Sequence, residues 1–429
     1  MKKRYLILSI GLLIISLGII LAIIPTINNI NTNIDVNTKY FKNSKVSDHI
    51  HIYGNNGWEI LRSYNFCTGE GTYSDPYVIE DLEIEDTLYA IWIEDSNVYF
   101  RIENCSLSGV KSIYGSESGI LLSNVSNGYL IDNECSNNDY GIKLEESINN
   151  TISENTLYAN EGGAVELYSS HNNTIFGNTA SSNYYNAHGM FFELSNNNTI
   201  KENTVSNIPR GGIGFSECEY NNISGNLVQN SDSGISLSFS TKNIVSRNTV
   251  NNNDLSGISL GYSSYNLVLE NNAGENSRGI KLYGYGNHNN TVSGNILNDN
   301  IYGIHIESCV QNNILGNVLN DGIYLKWAHN NTFTGNLMDG LGIFMDGFLY
   351  NYIDSTNLVK GKPVYYYVNE VYLKPNNFMN AGQVILGYCN DSVIANLDIS
   401  STFNGISLYN CNNNTIMESN VNNNEYFGI

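Results

Sequence analysis

Asn149-Asn150-Thr151-Ile152-Ser153-Glu154-Asn155 returns, little altered, at Asn172–Asn178 (NNTIFGN), Asn197–Asn203 (NNTIKEN), Asn289–Asn295 (NNTVSGN) and Asn330–Asn336 (NNTFTGN). Aligned on the last Asn, the pattern falls at Asn155, Asn178, Asn203, Asn226, Asn248, Asn271, Asn295, Asn317 and Asn336, with spacings between 19 and 25 residues. Three residues before each anchor stand Ile152, Ile175, Ile200, Ile223, Val245, Val268, Val292, Ile314 and Phe333; two after it stand Leu157, Ala180, Val205, Val228, Val250, Ala273, Leu297, Leu319 and Met338. In a chain that is 41% apolar, one such unbroken column would arise by chance roughly three times in ten thousand, so both columns face a shared interior. A third column follows a glycine, as in Gly234-Ile-Ser-Leu, Gly257-Ile-Ser-Leu, Gly279-Ile-Lys-Leu and Gly405-Ile-Ser-Leu. Its alternation marks a short strand with one buried face.

Each repeat thus supplies about three short strands, all running one way, which can pair only with their copies in the next repeat. Parallel crossovers are right-handed. The expected fold is all-β: a right-handed parallel β-helix of about 22–24 residues per coil and some fifteen coils, with Asn side chains stacked in ladders at the corners. A leucine-rich repeat would show L-x-x-L-x-L spacing, which is absent. Weaker anchors at Asp81, Asn104 and Asn133 extend the stack upstream, and Asn357, Asn396 and Asn420 extend it downstream.

Composition agrees. Asn makes up 73 of 429 residues; it is a poor helix former that tolerates left-handed backbone, which excludes an all-helical protein and favours many corners. With 20 Lys and Arg against 41 Asp and Glu, the net charge is −21. Such a chain repels a phosphate backbone, so nucleic acid is excluded as a partner.

Leu6–Ile24 is an uncharged apolar run behind Lys2, Lys3 and Arg4 and before Pro25. At about 1.5 Å per residue it matches a bilayer, so residues 1–25 are expected to form an uncleaved signal anchor, with the basic cluster inside and the rest extracytoplasmic. Residues 26–48 read as a flexible tether and 49–76, with Trp58 and Cys67, as an N-terminal cap. The β-helix is expected over 77–429, interrupted by a projecting hairpin at about 358–383. The chain stops at Gly428-Ile429, where another strand should begin, and this suggests a truncated frame or an envelope protein partner on an open strand edge.

The Asn-Asn-Thr-Ile and Gly-Ile-x-Leu repeats, the opening Gly71-Thr-Tyr-Ser-Asp-Pro-Tyr77 and the inserted Gly361-Lys-Pro-Val-Tyr-Tyr366 resemble the NosD-like extracytoplasmic β-helix proteins, abundant in archaea, within the pectate-lyase-like superfamily. The resemblance covers roughly residues 70–429. It implies the same fold, kinship with carbohydrate-binding and sugar-hydrolysing proteins and, by the family's name, periplasmic copper handling. No Met cluster or His-rich tract for copper appears in this chain.

Outward positions of the Gly-Ile-x-Leu strands are where β-helix enzymes carry acids and bases. Paired Asp residues on adjacent coils, as hydrolases require, are missing there. Lys281 and Tyr283, His305 and Glu307, Tyr324 and Lys326 fall on three consecutive coils. In this cluster His305 or Tyr324 would abstract a proton α to a uronate carboxylate while Lys281 or Lys326 neutralises the acid, giving a lyase or epimerase. Glu80, Glu103, Asp132 and Glu154 each precede an anchor and form a candidate Ca²⁺ column. His49 and His51 have metal-compatible spacing but are two ligands only. Tyr365, Tyr366 and Tyr367 could stack on sugar rings or pin the insert. Cys389 and Cys411, 22 residues apart on adjacent coils, are candidates for a disulfide. The reading that results is a membrane-tethered, non-catalytic rod that binds or organises glycans or other envelope polymers. The alternatives are a polysaccharide lyase or uronate epimerase, and an accessory protein for an envelope metalloenzyme.

Overall fold

The computed structural model describes residues 45–46, 49–112, 116–181, 187–348 and 350–429. It is a right-handed parallel β-helix of about fifteen turns. The expected anchor over 1–25, and the tether apart from Lys45–Val46, lie outside the described residues. Among the described residues no helix is long and apolar enough to cross a membrane.

Three sheets form the walls. A long-strand sheet of 13 strands, from Ile50–Tyr53 to Ile343–Asp346, carries the Gly-Ile-x-Leu motifs. A second sheet, also of 13 strands, runs from Tyr77–Glu80 to Tyr352–Ile353 and carries the Thr-Ile pairs. The third holds the strands after each anchor, such as Thr156–Tyr158 and Thr204–Ser206. Ile152 pairs with Ile175 and Ile175 with Ile200; Leu157 pairs with Ala180 and Ala180 with Val205. These side chains have no exposed surface, and burying an aliphatic side chain of this size stabilises by about 1.5–3 kcal/mol.

The Asn-Asn-Thr-Ile motif has a separate job for each residue. The first Asn (Asn149, Asn172, Asn197, Asn289, Asn330) takes φ of 56–57° and turns the corner, which Asn tolerates better than most residues. The second is buried and stacks on its copy: the amide of Asn150 donates to Asn173 Oδ1 at 2.9 Å, and that of Asn173 to Asn198 Oδ1 at 2.8 Å. Thr faces out and Ile in. The anchor Asn begins a second ladder that runs unbroken from Asn133 to Asn357. In it Asn155 Nδ2 donates to Asn178 Oδ1, Leu130 O and Ser153 O, each at 2.9 Å. The glycine before each long strand is steric: a Cβ on Gly234 would sit 2.3 Å from Gly257 O and 2.2 Å from Val250 Cγ1.

Upstream, a helix (α1, Gly54–Ser63) lays Trp58 and Leu61 over the first coils. The Trp58 ring stacks on Tyr77 at 5.2 Å and its Nε1 donates to Ser96 Oγ. Residues 358–383 join the wall of the rod. Leu358–Val359 turns at Lys360 and Gly361, both at positive φ, into Lys362–Val368, which pairs antiparallel with it. Lys362–Val368 then pairs parallel with Gln383–Gly387, and that strand with Ile406–Tyr409. The C-terminal coils therefore form a second stack of reversed polarity with its own core, including Phe378, Val384, Leu386, Ile394 and Ile406. It docks on the last long strand of the first stack. Gln383 Nε2 donates to Ile343 O at 2.7 Å and its Oε1 accepts from Ile343 N at 2.9 Å, while Tyr409 OH donates to Met345 O.

Candidate functional site

The long-strand sheet brings the expected cluster together in register. Lys281 lies beside His305 and His305 beside Tyr324; Tyr283 lies beside Glu307 and Glu307 beside Lys326. Each of its acid–base groups has a partner within the face. Arg278, which the repeat pattern does not single out, donates from Nε to His305 Nδ1 at 3.0 Å. The imidazole lone pair is thereby occupied and the ring proton sits on Nε2. Burial, then the charges of Arg278 and Lys281, push His305 down to about 4, so it is neutral, with its basic nitrogen engaged. Tyr324 donates to Asp346 Oδ2 at 3.2 Å, and burial followed by the Asp346 charge raises its phenol to about 12, away from a phenolate. Glu307 accepts from Lys326 at 2.9 Å, a hydrogen bond that holds its carboxyl below the usual range. None of these groups is a free base.

A second site lies outside the residues the sequence singled out. The loop Gly69–Pro76 folds over the outward face of the second sheet, held by Glu70 N and Thr72 N donating to Asp75 O and by Tyr99 N donating to Gly71 O. Gly69 and Gly71 have φ of 86° and 74°, and a Cβ on Gly69 would sit 1.9 Å from Pro76 O. Tyr73, Pro76, Tyr99, Arg101, Tyr129 and Ile131 line a cavity of about 460 Å³, within the range of small-ligand sites. The Tyr73 and Tyr99 rings meet edge to face at 5.4 Å, and Arg101 pairs with Glu103 at 2.6 Å. A signal for it exists in the repeat: Arg101 and Tyr129 occupy equal outward positions on consecutive coils.

The calcium column divides. Glu80 registers with Glu103, but Glu103 registers with Ile131. The true upstream anchor lies one residue later than expected: Cys105, not Asn104, occupies the ladder, its amide donating to Asn133 Oδ1. Asp132 and Glu154 belong to the left-handed corner column with Asp81 and Asn104. Among the described residues, no three His, Cys, Asp or Glu side chains stand close enough to hold an ion. His51 Nε2 lies 2.7 Å from Glu94 Oε1, with its ring stacked on Trp92.

Tyr365 and Tyr367 stack 6.3 Å apart against Phe378 and donate to Met379 O and Asn377 O. Tyr366 lies on the other strand face near Phe348, its hydroxyl accepting from Asn351 N. All three pin the reversed strand. Cys389 and Cys411 lie on adjacent coils, as expected, with their thiols not joined in this structure. Cys411 Sγ accepts from Cys389 N at 3.3 Å, the task a serine hydroxyl performs elsewhere in that column.

The fold and these surfaces define a parallel β-helix with a ligand-sized cup near its N-terminal end and an outward long-strand face. The family model described as "Periplasmic copper-binding protein (NosD)" matches residues 30–207, 184–322 and 319–429, and the chain belongs to that family, whose description places it outside the cytoplasm. No curated protein matches the chain. Similar solved structures include the periplasmic alginate epimerase AlgG (17% identity, TM-score 0.43, 72% of this chain and 85% of that one). Another is the DFA-IIIase of Arthrobacter chlorophenolicus A6 without its lid (12%, 0.45, 64% and 95%). A third is the Dettilon tailspike protein (17%, 0.43, 73% and 62%).

The buried cysteines do not suit the copper that the family description implies. Copper(I) selects thiolate and thioether ligands, whereas burial raises the thiols of Cys67 and Cys218 to about 11 and of Cys105 and Cys309 to about 12. Cys218 and Cys309 donate to backbone carbonyls within their own coils.

Proposed function

We propose that this protein is an extracytoplasmic rod that binds glycan without transforming it, tethered to the membrane through Leu6–Ile24. The observation that carries this reading is the Tyr73/Tyr99/Tyr129/Arg101 cup. Tyrosine faces accept the C–H surface of a sugar ring while their hydroxyls, and the Arg101 guanidinium in the lining, bond its oxygens. The cup has no pair of carboxylates flanking it, so it supports retention rather than hydrolysis. The long-strand cluster supports the same conclusion, since its imidazole and phenol are both engaged.

Calorimetric titration of the protein against a panel of neutral and acidic oligosaccharides tests the proposal. A ligand is expected whose affinity falls at least tenfold in Tyr99→Ala, or about 1.4 kcal/mol, with no product formed on long incubation. Turnover of any member of the panel, or indifference of binding to Tyr99→Ala and Arg101→Met, would overturn it.

A further inference from the structure

Arg278 and Lys281 are two half-buried cations on one outward face, in a chain with twice as many acids as bases. Elsewhere on the rod cations find carboxylates: Lys143 with Glu145, Arg247 with Glu270, Lys326 with Glu307. Among the described residues neither Arg278 nor Lys281 has a carboxylate within ion-pair distance. Arg278 reaches across to His305, the residue directly beside Lys281 on the next coil, so both cations stand at the same side of the strand. With Nε spent on His305, the two terminal nitrogens of the guanidinium remain, in the planar arrangement that matches a carboxylate. His305 itself is 6% exposed, and its Nε2 is buried with no hydrogen-bond partner, the nearest carboxylate oxygen (Glu307) standing 4.0 Å away.

Leading to these cations is an aromatic strip on successive coils. Phe239 (59% exposed) stacks on Tyr262 (47% exposed) at 5.1 Å, Tyr262 meets Tyr283 edge to face at 6.0 Å, and the Lys281 ammonium lies 4.6 Å over the Tyr283 ring. Beside the strip the outward strand positions are Ser236, Ser238, Ser259 and Gly261; the Tyr283 ring lies down over Gly261, where a Cβ would stand 2.5 Å from it, and Phe239 and Tyr262 keep exposed faces. Exposed aromatic side chains in a row, ending at two cations with no carboxylate at ion-pair distance, mark a binding surface.

We propose that this strip is a subsite for an acidic glycan: a sugar carboxylate is held by Arg278 and Lys281, and preceding sugar units lie along Tyr283, Tyr262 and Phe239. The proposal rests on the glycan-binding reading and specifies the class of polymer. His305 is a positioning residue: it accepts from Arg278 Nε and fixes the plane of the guanidinium without touching the ligand.

The test is calorimetric titration of the whole protein with polygalacturonate, its fully methyl-esterified counterpart and dextran sulfate. Polygalacturonate is expected to bind, with the ester and the sulfated polymer at least tenfold weaker. Arg278→Met with Lys281→Met should weaken polygalacturonate binding at least 30-fold at unchanged melting temperature. His305→Asn, whose amide oxygen can take the place of Nδ1, should retain binding, and His305→Leu should lose about tenfold. Equal affinity for dextran sulfate would mean that charge alone is read and would overturn the proposal, as would full binding by the double variant. If neutral oligosaccharides bind at the cup but polygalacturonate does not, this proposal alone fails; if no glycan binds, both fail.

Discussion

The rod before the reversal at Lys360-Gly361 and the rod after it are built from the same repeat but held by different forces. In the first stack one residue type occupies the anchor column from Asn133 to Asn357, and every member is donor and acceptor at once. In the second stack the equivalent positions hold Leu397 and Ser419, where the Leu397 amide donates to Ser419 Oγ and nothing on the Leu397 side chain can accept in return. The neighbouring columns are mixed as well: Ser392 with Asn414, Thr402 with Asn424. A ladder continues only while each rung can do both jobs. Where that ends, cohesion passes to aromatic packing around Phe378 and to the docking contacts of Gln383, Phe403 and Tyr409.

The sharpest way to break that contrast is to remove one rung in the middle. Asn226 accepts from the amide and side chain of Asn203 and donates to Ile200 O and Asn248 Oδ1. Asn226→Ala strands two or more buried backbone groups, at about 1–3 kcal/mol each, so a loss of about 4 kcal/mol is expected in urea unfolding. Ser392→Ala in the second stack orphans a single buried amide, that of Leu373, and should cost about 1–3 kcal/mol, less than the central rung. Equal losses would show that the asparagine ladder is not what sets the two stacks apart.

The next effect falls on the junction. Gln383→Leu leaves Ile343 N and O unpaired at a strand edge. A loss of about 3 kcal/mol is expected, and it should appear as a separate early transition, because the second stack loses its polar attachment while the first keeps its ladder. A single cooperative melt with unchanged midpoint would contradict this.

Acid should act near the same junction, since the Tyr302 ring lies 5.9 Å from His305 and 6.2 Å from Phe403. Folding lowers the His305 pKa from 6.5 to about 4, so between those values the unfolded chain binds the extra proton. The stabilisation is complete above pH 6.5 and fades as pH falls towards 4, by no more than about 3 kcal/mol. His305→Asn should flatten this limb of the stability profile; an unchanged profile would place the titrating group elsewhere, His188 being the other imidazole that burial pushes to about 4.

Fold and site were unequally legible. The apolar columns and the corner asparagines could be read because Ile152, Val205 and Asn150 each repeat at a fixed offset, and periodicity reports burial. The reversal at 360–361 could not, since a two-residue turn at the end of an ordinary coil leaves no periodic trace; Gly361-Lys-Pro-Val-Tyr-Tyr366 showed only that something was inserted. The acidic column Glu80, Glu103, Asp132 and Glu154 is split by one residue in register, because Asn104 resembles an anchor while Cys105 serves as one. The candidate site suffered most. Lys281, His305 and Tyr324 were correctly aligned, but the protonation of His305 follows first from its burial and then from Arg278, three residues from Lys281 and outside the alternation.

Cysteine supplies the finest comparison, because thiols take serine's place in one column on both sides of the reversal. In the first stack Ser195 N donates to Cys218 Sγ at 3.3 Å and Cys218 N to Ser240 Oγ at 3.1 Å. In the second, Cys389 N donates to Cys411 Sγ. If the column asks only for a small side chain that accepts from the coil before it, Cys218→Ser and Cys411→Ser are each expected to shift stability by less than about 1 kcal/mol, whereas Cys218→Val, similar in volume but unable to accept, should cost about 1–3 kcal/mol through the orphaned Ser195 amide. The thiols should also react at different rates in the native protein. Cys218 is fully buried and raised to about 11, whereas Cys411 is partly exposed, so iodoacetamide should label Cys411 first. Equal labelling rates would mean that the two stacks open together, and the distinction between a ladder-held and a docked half would have to be given up.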